Sequence, residues 1–181
     1  GVLQTSALAN EAPSARIQRA RALLILGEVY WEKKQTDSAR KAFDVALELC
    51  RGVDAGALAR EERGNYYKTL GAAEYWVAQL NLSTGEREKA KEGFSNYLSA
   101  SRQGLALAPQ DQSAQLEVSY SLNALGSLAL RDLDIPLARQ LFAERLSITR
   151  QILRATPDDY LRQLDLANVL EWTAEVCLVE R

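Results

Sequence analysis

The side chains that usually carry catalysis are missing from this chain or scattered along it. Its 181 residues include no histidine, the group that most often moves protons near neutral pH. Carboxylates occur in adjacent pairs, Glu61/Glu62 and Asp158/Asp159. Such a pair does acid–base work only when an apolar pocket splits its pKa values, and any amphipathic helix supplies pairs of this kind. Cys50 and Cys177 stand far apart and form no Cys-x-x-Cys. With no histidine to complete a zinc site, they read as two small buried apolar side chains. There is no GxGxxG, GxxxxGK[ST], HExxH or GxSxG. The chain therefore reads as a non-enzyme, with no catalytic residue, no metal ligand and no cofactor expected.

Charge points the same way. There are 22 basic and 24 acidic residues, a formal net charge of −2, which offers a nucleic acid no electrostatic footprint. Arg139, Arg145, Arg150, Arg154 and Arg162 make the late region locally basic. Asp158, Asp159 and Asp165 offset them, so a phosphate site there is the lesser alternative. The mixed runs at 19–22, 32–34, 60–63 and 86–92 have the spacing of helix-surface pairs. No run of 18 apolar residues exists, so no membrane insertion is expected.

The elements that must position these residues are helices arranged in repeats. Residues 23–47, 74–98 and 122–146 align. A small residue (Gly27, Ala78, Gly126) is followed twelve positions on by alanine (Ala39, Ala90, Ala138). Four positions further comes phenylalanine (Phe43, Phe94, Phe142), which accounts for all three phenylalanines of the protein. The copies are 51 and then 48 residues apart, and Ala174 falls at the small position of a fourth, half copy. Apolar residues recur every three to four positions within each copy, as a helix face requires. Thr36-Asp37-Ser38 are expected to cap one helix, Ser83-Thr84-Gly85 to separate a pair, and Asp134-Ile135-Pro136 to start another. Pro109 and Pro157 are expected to end helices ahead of acidic starts. The pattern predicts seven helices near 14–35, 37–52, 56–82, 86–107, 111–131, 135–155 and 158–179. Residues 1–13 read as a linker or disordered segment, and 14–181 as one repeat domain with copies near 20–53, 71–110, 119–158 and 163–179.

Leu26, Gly27, Tyr30, Ala39, Phe43 and Ala46 together resemble the tetratricopeptide repeat. Copies two and three keep the small residue, alanine and phenylalanine. They depart with Asn81 and Ala129 at the tyrosine, and with Tyr97 and Arg145 at the later alanine. The usual repeat is about 34 residues, so a period near 48 is similar to long-repeat variants within large bacterial multidomain proteins. The resemblance implies an all-α fold, a right-handed superhelical array of antiparallel helix pairs (an α-solenoid). It implies a protein or peptide partner held in a concave groove lined by the first helix of each pair. Those positions are Arg21, Leu24, Glu28 and Trp31, then Ala72, Tyr75, Gln79 and Leu82. Tyr120, Asn123, Ser127 and Leu130 follow, with Asn168, Glu171 and Glu175 from the half copy. The carboxylate clamp of chaperone-binding members is absent, its places being taken by Leu24, Glu28, Trp76, Tyr120 and Ala124. Aromatic residues at helical spacing also serve as core, so each groove residue is either binding surface or packing.

The alternative is a structural spacer or self-association domain, with a possible homo-oligomer through the C-terminal helix. Leu164, Leu166, Val169, Leu170, Trp172 and Val176 make that helix apolar. Either it caps the array or its outer face pairs with further sequence or another subunit. A chain that opens Gly1-Val2 and has no methionine reads as a piece of a longer protein. It carries no signal-peptide pattern, and a cytoplasmic setting is favoured over a periplasmic one.

Overall fold

The computed structural model describes residues 11–179. Most of the expected linker, residues 1–10, lies outside them. The fold is all-α: among the described residues there are seven α-helices and no strand. They are α1 (Pro13–Glu32), α2 (Thr36–Arg51), α3 (Arg60–Ser83), α4 (Arg87–Leu107), α5 (Gln112–Arg131), α6 (Ile135–Ala155) and α7 (Tyr160–Val179). The chain forms two compact units, one to Gly93 and one from Phe94, dividing within α4 and hence within the second copy. In the first unit α1 packs on α2 and α2 on α3, while α1 also touches α3. In the second, α5 packs on α6, α6 on α7, and α5 touches α7. Each pair is a helical hairpin whose apolar stripe is covered by the next helix.

Hairpin turns of one design recur at the repeat spacing. After α1 the Gln35 N–H donates to the Tyr30 carbonyl and the Lys34 N–H to that of Trp31. Glu86 to Asn81 with Gly85 to Leu82, and Asp134 to Ala129 with Leu133 to Leu130, repeat it. These are Schellman closures, whose penultimate residue must adopt a left-handed conformation. It does so at Lys34 (φ 60°), Gly85 (φ 82°) and Leu133 (φ 60°). The first backbone bonds of the next helices then come from Ala39, Ala90 and Ala138, which donate to Gln35, Glu86 and Asp134. The motif alanine therefore closes the first turn of each second helix, where it is fully buried.

Only the middle turn carries glycine, the residue that adopts this conformation without steric cost. Leu133 is 71% exposed, so removing its side chain sacrifices no packing. Leu133→Gly is expected to stabilise the protein by about 0.5–1 kcal/mol. Gly85→Ala should destabilise it by a similar amount. Thermal melts of the two variants should move in opposite directions, and a fall in both would reject this account of the turns.

Several boundaries differ from expectation for local reasons. Thr36, Asp37 and Ser38 are the first turn of α2 rather than its cap. Gln35 holds the cap position with no side-chain hydrogen bond, and Asp37 complements the helix dipole. A 3₁₀ turn at Ala55–Ala57, braced by Asp54 Oδ1 accepting from the Gly56 N–H at 2.8 Å, delays α3 to Arg60. The remaining signals hold. Asp111 and Asp134 cap α5 and α6 through the Ala114 and Leu137 N–H groups. Asp159 accepts from Leu161 and Arg162 ahead of α7. Helices α4 and α6 stop two residues before Pro109 and Pro157, because the residue before proline is pushed out of helical geometry.

The small residue and the phenylalanine meet at the hairpin crossing. A Cβ on Gly27 would lie 2.3 Å from Phe43 Cε1, and one on Gly126 would lie 3.1 Å from Phe142 Cε1. In the second copy the contact is transposed, with a Cβ on Gly93 falling 2.8 Å from that of Ala78. Each ring of the outer copies also stacks on a tryptophan of the following helix. Phe43 lies on Trp76 at 5.1 Å and 5°, Phe142 on Trp172 at 5.7 Å and 8°. Phe43 thus has nowhere to retreat. Gly27→Ala should destabilise by about 1–2 kcal/mol, overpacking outweighing the roughly 1 kcal/mol gain in helix propensity. Gly126→Ala, whose neighbour need give only a few tenths of an ångström, should be within about 0.5 kcal/mol of neutral by the same two terms. Equal urea midpoints for the two variants would contradict the geometry.

Candidate functional site

In the first unit the expected groove residues gather around Trp76. Its Nε1 donates to Glu28 Oε1 at 3.0 Å. Trp31 packs on it at 6.2 Å and Tyr75 edge-on at 5.3 Å. Gln79 Nε2 donates to the Tyr75 hydroxyl at 2.9 Å. Glu28, Trp31, Tyr75 and Gln79 are half-buried and engage one another or Trp76, so this group holds α1 against α3. Leu24 lies in the hydrophobic core, which removes it from the binding surface, whereas Arg21 is exposed. Asn81, at the place of a motif tyrosine, is buried and accepts from Arg40 Nη1 at 3.1 Å.

Beneath this group Glu74 is buried and pairs with Arg51 at 3.0 Å. Burial first, and Glu74 second, push the Cys50 thiol up to about 12. A thiol held protonated is inert as a nucleophile, which suits the expected packing role. Cys177 differs from expectation: it is exposed, because it lies on the face of α7 turned away from α6.

The second unit brings Tyr120, Asn123 and Asn168 together around Arg145. Arg145 is 3% exposed. Its Nη1 donates to Asn123 Oδ1 at 2.8 Å and its Nη2 to Asn168 Oδ1 at 3.0 Å, so one side chain of α6 ties α5 to α7. Its Nε is buried without a partner. Burial lowers the pKa of this guanidinium, opposed by Asp165 and Tyr120. An arginine only donates, so both amides must turn their oxygens inward to it. Their NH₂ groups then face away from the arginine. Asn168 is exposed and Asn123 half-buried. Beside them Tyr120 is 42% exposed, and its hydroxyl accepts from Arg162 Nη1 at 3.4 Å. Arg162 is in turn held by Asp165 at 2.7 Å. Ser127 points back to its own helix, donating to the Ala124 carbonyl at 3.2 Å.

No protein-family model matches this chain, nor does any curated protein. The repeat therefore stands on the internal spacing of its residues and on the recurrence of its turns and stacked rings. Among the described residues no three potential ligands cluster as a metal site would require, and no helix is long and apolar enough to cross a membrane.

Arg145 was legible as an oddity, an arginine at a motif alanine. Its meaning was not, because its two partners lie 22 and 23 residues away on different helices. The signal was available all the same. A long donor-only side chain on the buried face of α6 demands acceptors from both neighbours, and Asn123 and Asn168 occupy facing positions. The locally basic cluster also resolves differently from its appearance in sequence. Arg145 and Arg162 are consumed by internal partners, while Arg150 and Arg154 remain exposed.

Proposed function

We propose that the chain is a tetratricopeptide-type interaction module, a binding rather than a catalytic unit. It takes an extended peptide segment of a partner protein across Tyr120, Asn123 and Asn168. The observation that carries this reading is the pair of amides fixed by Arg145. Their orientation leaves two N–H donors on adjacent helices, next to a half-exposed aromatic ring and above a buried positive charge. A peptide offers acceptors at its main-chain carbonyls and apolar surface for the ring, and acidic side chains would profit from the charge below. Aromatic anchors flanked by fixed polar groups are the usual source of binding energy at such surfaces.

The test is an array of acidic and neutral extended peptides, scored against the wild-type chain and the variants Tyr120→Ala and Asn168→Ala. Tyr120 is 42% exposed, so Tyr120→Ala should keep helicity and melting temperature. Asn168→Ala also takes a hydrogen bond from buried Arg145 and should lower the melting temperature. Measured at a temperature where both variants are folded, affinity should fall by roughly tenfold or more for each. Binding that ignores both substitutions would move the site elsewhere. Tyr75→Ala is a poor probe, because Tyr75 braces Trp76 and its loss would disturb the fold.

A further inference from the structure

Glu28 is a carboxylate set among aromatic rings with no cation to balance it. It is half-buried, and its one hydrogen-bond or ion-pair partner among the described residues is the neutral indole N–H of Trp76, donating to Oε1 at 3.0 Å. Arg21, two turns back on α1, is exposed and does not pair with it. Glu32, one turn on, adds a second exposed carboxylate. Trp31 lies three residues beyond Glu28, the spacing that makes side chains neighbours on a helix. Its ring meets Trp76 at 6.2 Å and 59°. Phe43 covers one face of Trp76 and holds it in place. Packing fixes this group without closing it: Glu28, Trp31 and Trp76 each keep part of their surface in solvent. A carboxylate stripped of some of its water gains from a cation, and a tryptophan face attracts one through its quadrupole.

We propose that Glu28, Trp31 and Trp76 form a seat for an alkylammonium head, that of a lysine side chain on a partner protein. Chemistry selects this cation over others. A metal ion asks for several oxygen ligands, and no group of three potential ligands occurs among the described residues. A guanidinium binds a carboxylate best through both oxygens, and the Trp76 N–H already occupies Oε1. An ammonium is a point charge that needs only Oε2, and its methylene stem suits the indole surface. The seat belongs to the first unit and is independent of the peptide site at Tyr120.

The three tryptophans of the chain supply the readout, since each gives one indole N–H signal in a proton–nitrogen NMR spectrum. Titrating the full 181-residue chain with Nα-acetyl-lysine methylamide should shift the Trp31 and Trp76 signals and leave Trp172, in the second unit, unmoved. The norleucine analogue, which has the stem without the charge, should shift none of them. Glu28→Gln keeps an oxygen for the Trp76 N–H and removes only the charge. Its melting temperature should hold while affinity falls about fivefold or more, from the upper end for exposed pairs because this carboxylate is half-buried. Trp31→Leu keeps apolar bulk without the ring and should weaken binding about two- to fivefold. The proposal is overturned if the norleucine analogue binds as well as the lysine one, if Trp172 moves with the other two, or if Trp31 and Trp76 stay still. It is overturned equally if either folded variant binds as tightly as the wild type. An arginine analogue that binds more tightly than lysine overturns the choice of ammonium.

Discussion

Replacing Phe43 with alanine is expected to lower the unfolding free energy by about 3–5 kcal/mol, the range for emptying a well-packed aromatic site. The ring is fully buried. One flank lies against the Gly27 backbone, close enough that a Cβ there would overlap it, and the other face is stacked on Trp76. Neither flank can collapse into the void. Gly27 has no side chain to extend, and Trp76 is pinned by Glu28, Trp31 and Tyr75. Phe142→Ala should fall nearer the lower end of the same range, because Trp172 is braced by fewer rings. Urea unfolding followed by tryptophan fluorescence reads both. A loss below about 1 kcal/mol for Phe43→Ala would mean that the site relaxes, against the rigidity argued from its neighbours.

The second large effect concerns Arg145, and it reverses the naive expectation that losing the charge is worse than losing a partner. Asn123→Ala strips Arg145 of its shortest hydrogen bond and adds a second unsatisfied donor to the buried Nε. It should cost about 2–3 kcal/mol, the penalty for stranding a charged donor away from water. Arg145→Met removes the charge with similar volume and should lie within about 1 kcal/mol of the wild type. The two amides it releases lie at or near solvent, so water can satisfy them. The substitution should nevertheless weaken peptide binding, because nothing then fixes the amides with their donors outward. Chemical denaturation and peptide titration on one pair of variants separate the structural role of this arginine from its positioning role. Equal stability losses for Asn123→Ala and Arg145→Met would contradict the buried-charge argument.

What the sequence determined by itself was whatever depends on near neighbours. Helix number, the proline-bounded ends and the aspartate starts of α5, α6 and α7 all follow from interactions within a turn or two of the chain. The alternation of small residue, alanine and phenylalanine also announced the hairpin crossing, since only residues without bulk permit it. The tertiary structure decided everything that depends on what faces what. Trp31, Tyr75 and Gln79 have the spacing of a binding surface, yet Trp76 gathers them into packing. Leu24 has the same periodicity and is core. Tyr120 is alike in sequence to those residues, but it stays 42% exposed, while Asn123 is half-buried as they are and is taken up by an arginine contributed by another helix. Helical periodicity fixes the angle at which a side chain leaves its own axis. Whether solvent or another helix waits at that angle is set by residues dozens of positions away, and the local pattern carries no record of them.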